Sequence, residues 1–158
     1  MQGNPEVLKC LGEALKAELT AINQYFLHSK MCNNWGYYRL GAYYRKESVE
    51  EMVHAEKLMD RILLLDGTPN MTDIGHIHVG KNVKAMFESD LALEMAASKH
   101  LNGAIKIATE VHDNASRALF EEILKDEEEH IDHLEADLHA IQEIGLDNFL
   151  AQQLHKDD

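Results

Sequence analysis

Proline is nearly absent from this sequence, and both prolines stand where a helix boundary is expected. The chain has 158 residues with only two prolines, Pro5 and Pro69, and it has no Ser/Gly-rich linker. Proline breaks helix interiors because it lacks a backbone N–H and clashes with the preceding turn. The long proline-free stretches therefore permit long helices, and the lack of a linker predicts a single domain over residues 1–158.

Cysteines, long apolar runs and positive charge are equally scarce. Cys10 and Cys32 lack CxxC spacing, which predicts free thiols rather than a zinc site or a disulfide framework. The longest strongly apolar run, residues 62–65, is far too short to cross a membrane. The first residues show no basic segment followed by an apolar one, so we expect no signal peptide and a cytoplasmic location. The formal net charge of -13 disfavours nucleic acid and anionic membranes as partners.

Helical patterns fill most of the chain. Asn4, Pro5 and Glu6 form a typical helix start, because Asn caps free N–H groups, Pro fits the first turn and an acid favours the positive dipole end. Apolar residues at helical spacing then predict four long helices and a short fifth segment. We place them at about residues 5–31, 37–65, 82–111, 115–144 and 147–154.

Residues 66–80 interrupt this pattern with turn-forming residues and no helical stripe. A segment of that length can extend to roughly 50 Å, enough to cross the full length of a long helix. Short connections on either side predict antiparallel hairpins of helices one with two and three with four. The sequence therefore predicts an all-α four-helix bundle with one long crossover loop and a short C-terminal fifth helix. The alternative is a bundle with a floppy middle loop.

Acidic residues lie on the apolar stripes of all four long helices, where a carboxylate needs a partner or a metal. Helices one and three each carry a single such Glu, and helices two and four each carry a Glu-x-x-His pair. Because residues three apart share a helix face, both side chains of a pair can reach one centre. The six residues are Glu18, Glu94, Glu51, His54, Glu127 and His130.

These six residues obey one internal repeat. Glu51 follows Glu18 by 33 positions, and Glu127 follows Glu94 by the same interval. Each residue of the second half follows its counterpart in the first by 76 positions. The midpoint of each half falls in or beside a predicted turn, so each lone Glu lies at the height of the neighbouring Glu-x-x-His pair. A solvated acidic surface with stray histidines would not show this regularity.

The chemistry of the six side chains indicates two metal ions. Four carboxylates and two imidazoles balance the charge of two divalent cations, and oxygen-rich ligands suit iron or manganese better than a structural zinc. We predict that Glu51 and Glu127 bridge the metals, while the other two acids and the two histidines each bind one. Such a centre leaves positions open for O2 or peroxide, so two Fe(II) ions can be oxidised together.

Further residues are predicted around this centre. Glu47 and Asp90 lie one turn before site acids and could orient the imidazoles. Tyr25 could hydrogen-bond near the site or supply an electron, although an ordinary core tyrosine and surface acids are the alternative. His76 and His78 in the crossover form a weak surface metal site at best. No role is predicted for the remaining histidines: His28, His100, His112, His133, His139 and His155.

Three segments resemble the bacterioferritins, and the likeness covers essentially the whole chain. They are residues 21–28 (AINQYFLH), 51–55 (EMVHA) and 127–132 (EEEHID). The resemblance implies a ferritin-like bundle, ferroxidase activity and storage of ferric mineral in a twenty-four-subunit shell. It also implies haem b between two-fold related subunits, with one methionine from each as an axial ligand. Met52 is the matching residue in this chain.

The resemblance also concerns partners. The shell would contain this chain alone or a second ferritin subunit as well, and a small ferredoxin would pass electrons through haem to release Fe(II). Thr68 and Lys81 lie in the region expected to meet that ferredoxin. Lys46 and Glu50 stand where some members carry a His and an Asp that bind iron on the inner wall. Lys46 argues against that extra iron site in this chain.

Other functions fit parts of the pattern. A di-iron enzyme for an organic substrate would have little room for a pocket in a chain of 158 residues. A rubrerythrin-like peroxidase would need a CxxC…CxxC segment, and a DNA-protecting ferritin relative would usually carry a basic tail, whereas this chain ends KDD. A haem-binding or scaffold bundle without iron oxidation is the non-enzymatic alternative.

Overall fold

A computed structural model of the chain describes residues 1–156. The acidic residues 157 and 158, which distinguish this chain from relatives with a basic tail, lie outside the described residues. The described part contains helices and no strand, which confirms the all-α prediction. The five helices are α1 (Pro5–Asn34), α2 (Tyr38–Leu64), α3 (Val83–Glu110), α4 (Asn114–Ile144) and α5 (Leu146–Ala151). No helix of residues 1–156 is long and apolar enough to cross a membrane.

Side-chain caps mark helix starts, and Asn4 is the cap that the sequence predicts for α1. The Asn4 side chain accepts hydrogen bonds from the backbone N–H groups of Glu6 (2.9 Å) and Val7 (3.4 Å). Asp113 caps α4 through the N–H of Ser116 at 3.0 Å. The first helix runs three residues beyond the predicted end, because the chain turns only at Gly36, whose φ of +87° favours glycine. The fifth helix is shorter than predicted and ends at Ala151.

The bundle has two apolar cores that are separated along the helix axes. The first surrounds Leu15, Leu58 and Phe120, and the second surrounds Tyr44 and Phe87. Helices α1 and α2 form one hairpin, α3 and α4 form the other, and α1 also packs against α3. In each long helix, the buried acid of the predicted site lies between residues of the first core and residues of the second.

The crossover between α2 and α3 is tied to α1 by side-chain hydrogen bonds. Three α1 side chains spaced four residues apart, and therefore on one helix face, each accept a hydrogen bond from a crossover backbone N–H. The bonds run from Gly75 to Thr20 Oγ1 (2.8 Å), from His78 to Gln24 Oε1 (3.1 Å) and from Gly80 to His28 Nε2 (3.2 Å). The crossover is thus a bonded strap, and His28, for which no role was predicted, is one of its anchors.

Two glycines give a matched test of this packing. A Cβ at Gly80 would overlap the backbone of Met86. A Cβ at Gly103, an exposed position of α3, would meet nothing within 4 Å. We expect Gly80→Ala to destabilise the protein by about 1–3 kcal/mol through overpacking. Gly103→Ala should stabilise α3 by roughly 0.5–1 kcal/mol, because alanine is the better helix former. Thermal and denaturant unfolding measure both, and an unchanged stability of Gly80→Ala would contradict the strap geometry.

Candidate metal centre

The structure brings the six predicted side chains together in the middle of the bundle. Their exposed fractions range from 0% for Glu51 to 9% for His130. They form two groups in which the ligand atoms lie within 4.8 Å of one another, and each group contains one histidine. The first group is Glu18, Glu51, His54 and Glu127, and the second is Glu51, Glu94, Glu127 and His130. Glu51 and Glu127, the acids predicted to bridge, are the two residues that both groups share.

In each group the histidine directs one ring nitrogen toward the acids. His54 Nδ1 lies 3.3 Å from both Glu51 Oε2 and Glu127 Oε1, and 3.6 Å from Glu18 Oε1. His130 Nδ1 lies 3.0 Å from Glu51 Oε1 and 3.5 Å from Glu94 Oε1. Each Nδ1 and its acids therefore surround a point that a cation could occupy, with one nitrogen and several oxygen ligands.

Burial perturbs the charges of this cluster strongly. Burial and the neighbouring charge of Glu51 raise the pKa of Glu18 well above its usual range. Burial likewise raises the pKa of Glu94 to about 7. Burial opposes protonation of His54, but hydrogen bonds to Glu18 and Glu51 outweigh it and raise the pKa of His54 to about 11. Protons on these groups thus partly offset the like charges of the acids, which are packed at close range.

Several buried ligand atoms have no hydrogen-bond partner, although a buried polar atom normally has one. Five of them belong to the predicted ligands: Glu18 Oε2, Glu51 Oε1, Glu94 Oε2, Glu127 Oε1 and His130 Nδ1. Bound cations would give these atoms the partners they lack. The oxygen-rich donor set with one imidazole per group fits iron or manganese.

Carboxylates hold the outer nitrogens of both histidines. His130 Nε2 lies 2.9 Å from Glu47 Oε2, which is the contact that the predicted orienting role of Glu47 requires, and 3.4 Å from Glu50 Oε2. His54 Nε2 lies 2.8 Å from Asp126 Oδ2, a contact that was not predicted. The repeat of 76 positions relates Asp126 to Glu50, since each directly precedes a shared acid. That repeat was the sequence signal for Asp126.

The prediction that Asp90 orients a site imidazole is wrong. Asp90 lies 3.2 Å from Nδ1 of His28 and accepts hydrogen bonds from Gln24 Nε2 (2.7 Å) and from the hydroxyl of Tyr44. The Asp90 carboxylate points toward the second apolar core. Side chains of α1 and α2 bind it there, and it therefore does not contact the imidazoles of the centre. The predicted hydrogen bond of Tyr25 is confirmed, because its hydroxyl donates to Glu94 Oε1.

Two further places were considered for metal ions: the crossover histidines, and the inner-wall position where Lys46 argued against a site. The rings of His76 and His78 lie 4.6 Å apart. However, no third acid or imidazole among residues 1–156 completes a compact group with them. Glu47, Glu50 and His130 do form a compact group beside the centre. Lys46, at the position of the expected histidine, instead places its Nζ 3.9 Å from Glu50.

Comparison with known proteins places the chain in a family. The ferritin-like domain matches residues 8–144. Bacterioferritin BfrA of Mycobacterium tuberculosis is 50% identical over 152 residues, which cover 96% of each chain. The chain belongs to the bacterioferritin family. The bacterioferritin of Streptomyces coelicolor is 49% identical over 96% of this chain and 90% of its own, and that of Brucella melitensis is 42% identical over 94% and 92%. The predicted family resemblance is thereby confirmed.

The methionine that the bacterioferritin resemblance marks as a haem ligand lies on an apolar outer face. Met52 is 54% exposed, and Val49 and Val53 of the same α2 face are exposed beside it. Exposed Phe26 continues the face on α1, where its ring lies 6.0 Å from the guanidinium carbon of Arg45 on α2. An accessible thioether within an apolar patch fits a flat apolar macrocycle that is bound through its iron.

Substitution of Asp126 tests whether its carboxylate orients the His54 ring for metal binding. Asp126→Asn should weaken metal binding in the group that contains His54 by about 10–100-fold, as is typical when a partner of a metal-bound imidazole is lost. Asp132→Asn is the matched control, because Asp132 lies exposed on the same helix. Titration with Co(II), followed by its absorption, measures the two affinities. Equal affinities in the two variants would exclude an orienting role for Asp126.

Proposed function

We propose that this bacterioferritin oxidises Fe(II) at a centre for two iron ions and stores the ferric product inside a twenty-four-subunit shell in the cytoplasm. The main support is the pair of ligand groups that share Glu51 and Glu127. Two metal ions held by common carboxylates can each lose one electron to the same oxidant molecule. Iron is here the substrate and cargo, and O2 or H2O2 is the oxidant.

The protein's own groups set up this reaction through charge. In the absence of cations, Glu94 binds a proton more tightly than usual because it is buried, and His54 does so because Glu18 and Glu51 lie beside its ring. Incoming Fe(II) ions would take the place of these protons, so iron binding releases protons and weakens as the pH falls. The two bound Fe(II) ions supply two electrons, which reduce O2 to peroxide or peroxide to water.

The acids beside the outer nitrogens of the two histidines determine which ring nitrogen faces the metal ions. Asp126 and Glu47 each accept a hydrogen bond from an outer imidazole nitrogen, which leaves Nδ1 of each ring free to face a metal ion. We therefore assign Glu18 and Glu94 as ligands of a single iron each and Glu51 and Glu127 as bridges. His54 and His130 each complete one of the two coordination groups.

We further propose that haem b binds between two copies of the chain, with Met52 of each as an axial ligand. The exposed thioether and its apolar surroundings support this assignment. Haem at this position could carry electrons from an outside donor, such as a small ferredoxin, toward the stored ferric mineral and so release Fe(II). The shell would be built from this chain, alone or together with a second ferritin subunit.

Stopped-flow mixing of the assembled apo-protein with Fe(II) and O2 tests the ferroxidase proposal. We expect a fast phase that saturates at two Fe(II) per chain. Glu51→Ala and His130→Ala should each abolish that phase in a folded shell, because both ligand groups use Glu51 and one depends on His130. Glu128→Ala is the matched control, since Glu128 is exposed beside Glu127 and should leave the phase intact. A correctly assembled protein without any fast phase would refute the proposal and favour a haem-binding or structural role.

A separate substitution tests the haem assignment. Met52→Leu keeps the apolar volume but removes the sulfur ligand, so we expect loss of bound haem with unchanged Fe(II) oxidation. Met95→Leu is the matched control, because Met95 is equally exposed, at 54%, on α3. The haem content per chain, read from the absorption spectrum, gives the answer. Full haem loading of the Met52→Leu variant would show that another residue is the ligand.

A further inference from the structure

A cavity of about 500 Å³ lies where α5 closes the space between α2 and α4. None of the six predicted metal ligands lines it, so it is a feature separate from the metal centre. Leu40 and Phe149, both buried, form part of its apolar wall. Its polar part includes Arg39, Lys46 and His133. The cavity therefore combines an apolar wall with three basic side chains.

The charge of this cavity is opposite to that of the chain as a whole. The chain carries 15 Lys and Arg residues against 28 Asp and Glu residues. Among the described residues that line the cavity, Arg39 and Lys46 are cationic, and Asp137 is the one acid. A local excess of positive charge in a concave part of an acidic protein attracts anions.

Arg39 has a guanidinium group that no carboxylate of residues 1–156 neutralises through an ion pair. The other three arginines have close partners: Asp113 for Arg61, Glu121 for Arg117 and the Phe26 ring for Arg45. The backbone N–H of Arg39 donates to the carbonyl oxygen of Gln153 at 3.1 Å, which fixes the start of α2 against the segment after α5. A guanidinium fork binds the oxygens of a phosphate or carboxylate in pairs, and the fork of Arg39 is available for such a ligand.

His133 is held in place by two contacts. Its Nε2 lies 3.2 Å from Asp137 Oδ2, and its ring stacks on that of Tyr43 with the centroids 4.6 Å apart. The hydrogen bond to Asp137 raises the pKa of His133, which favours its protonated form. A protonated imidazole has two N–H donors, so Nδ1 remains for a ligand. Asp137 is thus engaged by His133 and forms no ion pair with the other two basic side chains of the cavity.

We propose that this cavity binds a phosphate group through Arg39, Lys46 and His133. A phosphate offers several oxygens to one set of donors, here a guanidinium, an ammonium and an imidazole group. The apolar wall beside them lowers the local dielectric constant and so strengthens these charge interactions. The inference goes beyond Fe(II) oxidation and does not depend on it, because none of the three residues belongs to the metal centre.

The size of the cavity admits two sources of the phosphate group. Inorganic phosphate would fill only part of the volume of about 500 Å³, and the remaining space would take the organic part of a small phosphomonoester. A nucleic-acid strand is excluded on charge, because it needs a positively charged groove along its backbone, whereas this chain has a net charge of -13.

Isothermal titration calorimetry of the assembled, metal-free protein in a low-salt buffer tests the proposal. Inorganic phosphate is the probe in one series and adenosine monophosphate in the other, and we expect saturable binding of one phosphate group per chain. Arg39→Gln and Lys46→Gln should each weaken binding by about 10–100-fold, because each removes a charged hydrogen-bond donor. Lys125→Gln is the matched control, since it removes the same charge from an exposed position of α4 outside the cavity.

The two probes and the two cavity variants separate the outcomes. Weaker binding of either probe in the cavity variants, with unchanged binding in Lys125→Gln, supports the site, and the probe that binds more tightly identifies the source of the phosphate group. Lys46 is exposed, so Lys46→Gln keeps the test valid even if Arg39→Gln fails to assemble. Failure of both probes to bind at millimolar concentration would overturn the proposal. Binding that Lys46→Gln and Arg39→Gln leave unchanged would also overturn it, because the anion would then lie elsewhere.

Discussion

Four carboxylates and two imidazoles are buried together at the middle of the bundle, and much of the structure follows from that constraint. A buried charge without a partner costs several kcal/mol, and these acids surround one another at close range. The protein meets this cost with raised pKa values at Glu18 and Glu94 and with ion pairs to His54. A centre that is unfavourable without cations is, for the same reason, strongly attractive to them. The buried acids destabilise the middle of the bundle, and the two apolar cores on either side hold the helices in place.

A second polar network supports the first without belonging to it. Asp90 gathers Gln24 and His28 of α1 and Tyr44 of α2, and the same α1 side chains accept hydrogen bonds from the crossover. One buried carboxylate thus links the strap, both helices of the first hairpin and α3. The network ends beside Tyr25, whose hydroxyl touches the metal centre.

The internal repeat is the reason that so much of the site could be predicted from one sequence. The positions of the Glu-x-x-His pairs depend only on helical geometry and equal hairpin lengths, and the structure indeed brings all six residues together. Asp90 and His28 were misjudged, because sequence spacing gives the face of one helix but not which residues of other helices meet it. All helix starts were predicted to within one residue, whereas the C-terminal ends of α1 and α5 were each missed by three residues, because apolar spacing does not mark where a last turn stops. Burial of Tyr44 against Asp90 could be seen only in three dimensions.

Anomalous diffraction at the iron edge, from crystals loaded anaerobically with Fe(II), tests the central claim most directly. The account predicts two iron peaks per chain inside the bundle, one in each ligand group, with Glu51 and Glu127 bound to both. Nδ1 of His54 and of His130 should each bind one of the two ions. A single peak, or iron bound only at the surface while the six side chains keep their present contacts, would contradict the two-metal centre.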